Sequence, residues 1–125
     1  MYATKHVVTI AVDAEGSGEG FTPVVNGRVL AISYLKPTEG GYADTVDFDV
    51  TTEDSAVEIW DEDNVTASKA VYPRAATHTT AGAAAVYAAE GSPVLDYIPV
   101  ANERIKITVA NGGTSGTGTF HVIVG

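Results

Sequence analysis

Apolar residues recur at every second position, in short runs separated by turn-forming residues, along most of this chain. Val8, Ile10 and Val12 alternate with Val7, Thr9 and Ala11, and Val46, Phe48 and Val50 alternate with Asp47 and Asp49. A period of two sends alternate side chains to opposite faces of a pleated strand, so one face can be buried while the other stays wet. No stretch shows a comparably long helical period. The pattern predicts an all-β fold, a single antiparallel β-sandwich that is jelly-roll-like or immunoglobulin-like.

The punctuation between the runs divides the chain further. A glycine-rich loop, Glu15 to Gly20, follows the first strand. Phe21 to Val25 and Arg28 to Leu35 flank Asn26-Gly27, a dipeptide suited to the positive φ angles of a tight turn, which predicts a hairpin there. Pro23 cannot donate to a ladder and marks an edge or a strand end. Thr45 to Val50 reads as a strand, and so does Ala56 to Trp60 with Val57 and Ile59 inward and Glu58 outward. Val65 to Tyr72 is a weaker strand. The Ala-rich stretch Ala81 to Ala89 reads as strand or irregular, with a short helix as the alternative, because Gly82 and Gly91-Ser92-Pro93 leave a helix little room. Tyr97 to Val100, Arg104 to Ala110 and Thr119 to Val124 complete the set. Ile105, Ile107 and Val109 are expected to face Phe120, Val122 and Val124 across a hairpin. With no internal repeat or boundary signal, residues 1–125 read as one domain with a short N-terminal arm of about residues 1–5.

Composition narrows the chemistry. There is no cysteine, so disulfides, thiolate catalysis and cysteine-ligated zinc are excluded. The formal net charge is −9, and only seven Lys and Arg are scattered through the chain, which argues against nucleic acid as a partner. No apolar run is long enough for a membrane-spanning helix, and the first residues lack the layout of a signal peptide, so synthesis in the cytoplasm is expected.

Each candidate for chemistry has a plainer reading beside it. Ten acidic residues lie between Glu39 and Asp63, densest at Asp61-Glu62-Asp63-Asn64. Clustered oxygen ligands are what calcium requires, but the spaced acids and glycine of an EF-hand loop are missing. Asp47 and Asp49 are explained as the wet face of a strand, so no metal is expected. His6, His78 and His121 match no metal-ligand spacing. Gly113-Thr114-Ser115-Gly116 lacks the spacing of a nucleophile elbow. Gly16-Ser17-Gly18-Glu19-Gly20 is flanked by glutamate and opens no helix, so it would repel phosphate. Asn64-Val65-Thr66 fits a glycosylation sequon by coincidence. The chain is not expected to be an enzyme or to carry a cofactor.

Two features point to contact surfaces. If Val57 and Ile59 face the core, Trp60 shares the outer face with Glu58; it then either lies under a loop or anchors an interface. Strand Arg28 to Leu35 has Leu30, Ile32 and Tyr34 on one face and Val29, Ala31 and Leu35 on the other. It is therefore either covered on both sides or exposes one side to another subunit.

Several segments occur in a telling order: Gly27-Arg28-Val29-Leu30-Ala31-Ile32, Asp44-Thr45-Val46-Asp47-Phe48, Val71-Tyr72-Pro73-Arg74, and Val100-Ala101-Asn102-Glu103-Arg104-Ile105-Lys106-Ile107. A glycine-rich turn and Thr119-Phe120-His121-Val122-Ile123-Val124-Gly125 close the series. Over residues 5–125 this order resembles small tailed-bacteriophage virion proteins that decorate or cement the capsid shell. The resemblance implies a β-sandwich or jelly roll, often a homotrimer, bound to the major capsid protein on the outer surface of the virion. A tail, neck or fibre component and a carbohydrate-binding β-sandwich with Trp60 as stacking platform are the rival expectations. The residues expected at the interface are Tyr2 and Lys5 of the arm, Trp60, and Tyr72 with Arg74, since Tyr, Trp and Arg dominate binding hot spots.

Overall fold

The computed structural model describes residues 2–78, 80–83 and 94–125. Among them no helix occurs, and the strands are antiparallel. They are β1 (Thr4–Ala11), β2 (Gly18–Phe21), β3 (Val25–Leu35), β4 (Asp47–Thr52), β5 (Glu58–Glu62), β6 (Lys69–Val71), β7 (Ala75–Ala76), β8 (Leu95–Asp96), β9 (Ile98–Glu103), β10 (Ile105–Ala110) and β11 (Thr117–Val124). Residues 84–89 of the Ala-rich stretch lie outside the described residues, and the weak strand expected over Val65 to Tyr72 contracts to β6.

The first sheet runs β1-β11-β3-β6, with β9 pairing the first half of β3; the second runs β2-β10-β4-β5. A two-stranded ribbon, β7 with β8, stands apart. Leaving out that ribbon and β9, eight strands remain. They pair first with last, second with seventh, third with sixth and fourth with fifth. That is a hairpin wound into two sheets, the connectivity of a jelly roll. The all-β sandwich expected from the alternation is thus present, and the winding selects the jelly-roll form of it.

The core lies between the sheets. Val8 and Ile10 of β1, Val29, Ile32 and Tyr34 of β3 and Phe120, Val122 and Val124 of β11 meet Phe48 and Val50 of β4 and Ile105, Ile107 and Val109 of β10, all buried. Tyr34, Phe48 and Phe120 form its aromatic centre, with ring centroids 4.7 to 5.4 Å apart, the spacing of favourable edge and tilted contacts. Tyr42 joins them, and its hydroxyl donates to the Ile10 carbonyl, which satisfies the one polar atom it carries inward. Gly20 of β2 sits where β2 crosses β1. A Cβ there would come within 2.7 Å of Val8 and 2.8 Å of Ile10, so any side chain would push the sheets apart.

Five expectations are corrected by the tertiary arrangement. Asn26-Gly27 makes no hairpin; both residues lie inside the eleven-residue β3, where the register with β9 shifts between Val25 and Asn26. Gly27 has φ +132 and packs on the Gly125 carbonyl, while Arg28 and Gly125 exchange both backbone hydrogen bonds. Gly27 uses its positive φ inside the strand, beside Gly125, and the extra residue of the bulge is Asn102 of β9, opposite Val25 and Asn26. Second, β10 and β11 are not hairpin partners. They belong to different sheets, so Ile105, Ile107 and Val109 face Phe120, Val122 and Val124 through the core.

Third, Trp60 points inward: it is 8% exposed, edge-on to Phe48 at 5.6 Å, and opposite Val50 in the ladder. The register shifts between Val50 and Thr51, which inserts one residue into β5 and buries Ile59 and Trp60 together while Val57 turns outward. A strict two-residue count fails across any bulge. Fourth, a shift between β11 and β3 skips Leu30, so Val29 joins Ile32 and Tyr34 in the core and the outer face keeps Ala31, Ser33 and Leu35. Fifth, the N-terminal arm is shorter than expected, because Lys5 is already paired with Ile123 in β1.

Candidate functional site

The two sheets turn very different faces to solvent. The second sheet's outer face carries Glu19, Asp47, Asp49, Glu58 and Asp61, against the single lysine Lys106, while Glu62, opposite the inward Phe48, turns to the inner side and pairs with Lys69. Strands of the first sheet contribute Lys5, Arg28, Lys69, His6 and His121, and one carboxylate, Glu103. Glu103 is buried and inward-turned. It accepts hydrogen bonds from the Asp54 and Ser55 amides and the Ser55 hydroxyl, and these hold its carboxyl below the usual carboxylate range.

The ladder fixes the make-up of the first sheet's outer face. Lys5, Ile123 and Ala31 form one row, Val7, His121, Ser33 and Ala70 the next, and Thr9, Thr119 and Leu35 the third. No row contains a carboxylate. Val7 is 56% exposed and Leu35 42%, with the remaining β11 and β3 residues half-buried by their neighbours. Small, apolar and hydroxyl side chains are cheap to desolvate, whereas each carboxylate would need a partner.

The second sheet's outer face is the opposite case. Asp49 stands opposite Asp61 in the β4–β5 ladder, and the β5 bulge brings Glu58 to them, so carboxylate oxygens of the three lie within 4.8 Å of one another. Partial burial, the hydrogen bond with Asp49, and the charges of Asp49 and Asp61 push the Glu58 carboxyl up to about 7. A shared proton lets like charges sit this close. The three oxygens have the chemistry of a divalent-cation cluster, but all three residues are exposed and exposed acidic groups of this kind are common without an ion. Of the dense run Asp61-Glu62-Asp63-Asn64, Asp61 alone belongs to this cluster.

Of the expected interface residues, Trp60 is removed from the surface by its burial, and with it the stacking platform of the carbohydrate-binding alternative. Lys5 lies on the outer face of the first sheet. Tyr2, 93% exposed, lines an open groove of about 630 Å³ together with Thr4, His6, Val24 and Arg28. Tyr72, 66% exposed, and Arg74 follow β6. The Arg74 guanidinium donates to the Tyr72 and Pro73 carbonyls and lies over the Tyr97 ring at 3.8 Å, with Arg28 on the same ring at 5.2 Å. Tyr97 is therefore the contact that ties Arg74 to Arg28. The sequence reading missed it, since nothing in the spacing of these residues announces the stack. His6 and His121 stand on paired strands but on opposite faces, so they share no site.

Compared with protein-family models, curated proteins and solved structures, the chain matches none.

Proposed function

We propose that this chain is a non-enzymatic virion structural protein, a decoration or cement protein that binds the outer surface of a phage head with the outer face of its first sheet. One observation carries the reading: in a chain of net charge −9, that face presents no carboxylate among the described residues, while the outer face of the opposite sheet presents five on its strands. A surface that docks onto a protein lattice must lose its water, and the face without carboxylates loses it at least cost. The acidic face stays solvated and repels further layers of the same protein, which limits coverage to one layer. The jelly-roll winding agrees with this role, and the order of segments resembles that of small tailed-phage virion proteins.

The mechanism is mass action. A protein that binds the assembled shell and not its separated subunits stabilises the assembly by that difference in binding free energy. Heads stripped of it should keep their geometry yet release DNA at lower temperature, and adding the protein back should restore the original threshold. Stripped and decorated heads rupturing alike, or the protein localising to the tail, would overturn the cement role.

A further inference from the structure

A β-sandwich has edges, and each unpaired edge is a row of backbone donors and acceptors that another strand can occupy. Most edges of this molecule carry a device that blunts them. β2 is four residues long and is followed two residues later by Pro23. β5 carries Glu58, Asp61 and Glu62 together with its bulge. β6 has three residues, and β9 has a register shift in its pairing. β1 differs from all of them. Its eight residues pair with β11 in unbroken register, and among the described residues no strand pairs its other side.

We infer that β1 is a self-association edge: it pairs antiparallel with β1 of a second copy about a twofold axis at Val7, joining the two first sheets into one. When such a row of N–H and C=O groups gives up its water, another extended backbone is what matches its spacing, which fixes the chemistry of the occupant. The sequence of the strand selects a second copy in this register. Centred on Val7, outward-facing Val7 meets its own mate, and each Lys5 lies opposite Thr9 of the other copy. No like charges oppose one another, and an exposed valine becomes covered at the axis. Pairing through β5 would instead set carboxylates against carboxylates. A twofold perpendicular to the sheet leaves both outer faces pointing the same way, so the pair presents a doubled carboxylate-free surface. This is a twofold assembly, where the virion-protein resemblance implies a threefold one. The pairing rests on β1 alone and stands whether or not the decoration role does.

The test uses the whole chain in solution. Wild-type protein should sediment as a dimer in the micromolar range, and because the chain has no cysteine, Val7→Cys alone should oxidise to a disulfide-linked dimer while Leu35→Cys should not. Thr9→Lys sets lysine against Lys5 twice per dimer and should weaken association about tenfold. Adding Lys5→Glu to Thr9→Lys turns both pairs into Glu–Lys and should restore it. These positions are exposed, so the folded monomer should survive, as circular dichroism would report. A monomer at every concentration overturns the inference. So does a dimer whose affinity ignores the charge reversal, or a trimer that Val7→Cys fails to cross-link. Binding to stripped heads is scored separately: a monomer that still binds them sinks the edge pairing and spares the decoration role.

Discussion

The two sheets share one core and the same short-strand architecture, yet their outer faces differ as sharply as two proteins might. On the second sheet Asp49, Glu58 and Asp61 crowd together closely enough for Glu58 to keep its proton near neutrality. On the first, Val7, His121, Ser33 and Ala70 form a row without a carboxylate in it. The inner faces are alike because both answer to the same packing requirement. The outer faces are free to diverge, and it is their divergence that bears on function. Net charge alone conceals this, since −9 averages over an acidic side and one whose strands turn Lys5 and Arg28 outward.

The comparison depends on knowing which residues lie between the sheets, and the largest expected effect tests that. Trp60→Ala should cost about 3–5 kcal/mol of stability in a urea titration, the range for deleting a large buried aromatic. A loss below about 0.5 kcal/mol, the range of ordinary surface substitutions, would return Trp60 to the surface and undo the bulge assignment. The next effect separates the outer faces. Ser33→Glu in the middle of the first sheet should weaken rebinding to stripped heads by about 2 kcal/mol, roughly thirtyfold, because it brings an unpaired charge into the contact. Asp49→Asn on the second sheet should leave rebinding unchanged. Equal losses from the two variants would abolish the distinction between the faces.

Smaller effects sharpen the contrast through pH. The folded state raises the Glu58 pKa above the ordinary carboxylate value, so it holds that proton more tightly than the unfolded chain does. The associated stability is present at acid pH and is lost as pH rises through about 7. Glu58→Gln should therefore flatten the Tm–pH curve between mildly acid and mildly alkaline buffers and raise Tm on the alkaline side. Glu103 has the opposite sign. Its depressed pKa contributes stability above the unfolded value that is lost as pH falls further, so Glu103→Gln should blunt the acid limb instead. The smallest expected effect is none at all: EDTA and added calcium should leave Tm unchanged. A calcium-dependent rise that saturates as one site would assign the ion to Asp49, Glu58 and Asp61, turning the second face from a solvated surface into a metal centre.

Much of this molecule is legible in its sequence. The alternation in Val46, Phe48 and Val50, in Ile105, Ile107 and Val109, and in Phe120, Val122 and Val124 identified strands and inward faces, because a pleated backbone leaves a side chain only two directions. The absence of cysteine and the net charge are properties of composition that no folding alters. What the tertiary structure decided were the matters in which one strand depends on another. Whether Asn26-Gly27 turned or ran on inside a strand depended on β9 and Gly125 arriving beside it. Whether Trp60 faced in or out depended on one extra residue in β5 relative to β4. Whether β10 and β11 paired or stacked depended on the winding of the whole chain. The carboxylate trio depended on two strands and a bulge, and the stack of Arg74 and Arg28 on Tyr97 on segments remote in sequence. Periodicity is a local property of the backbone and survives in a string of letters; register and partner choice are set by contacts between distant segments, which only the folded chain brings together.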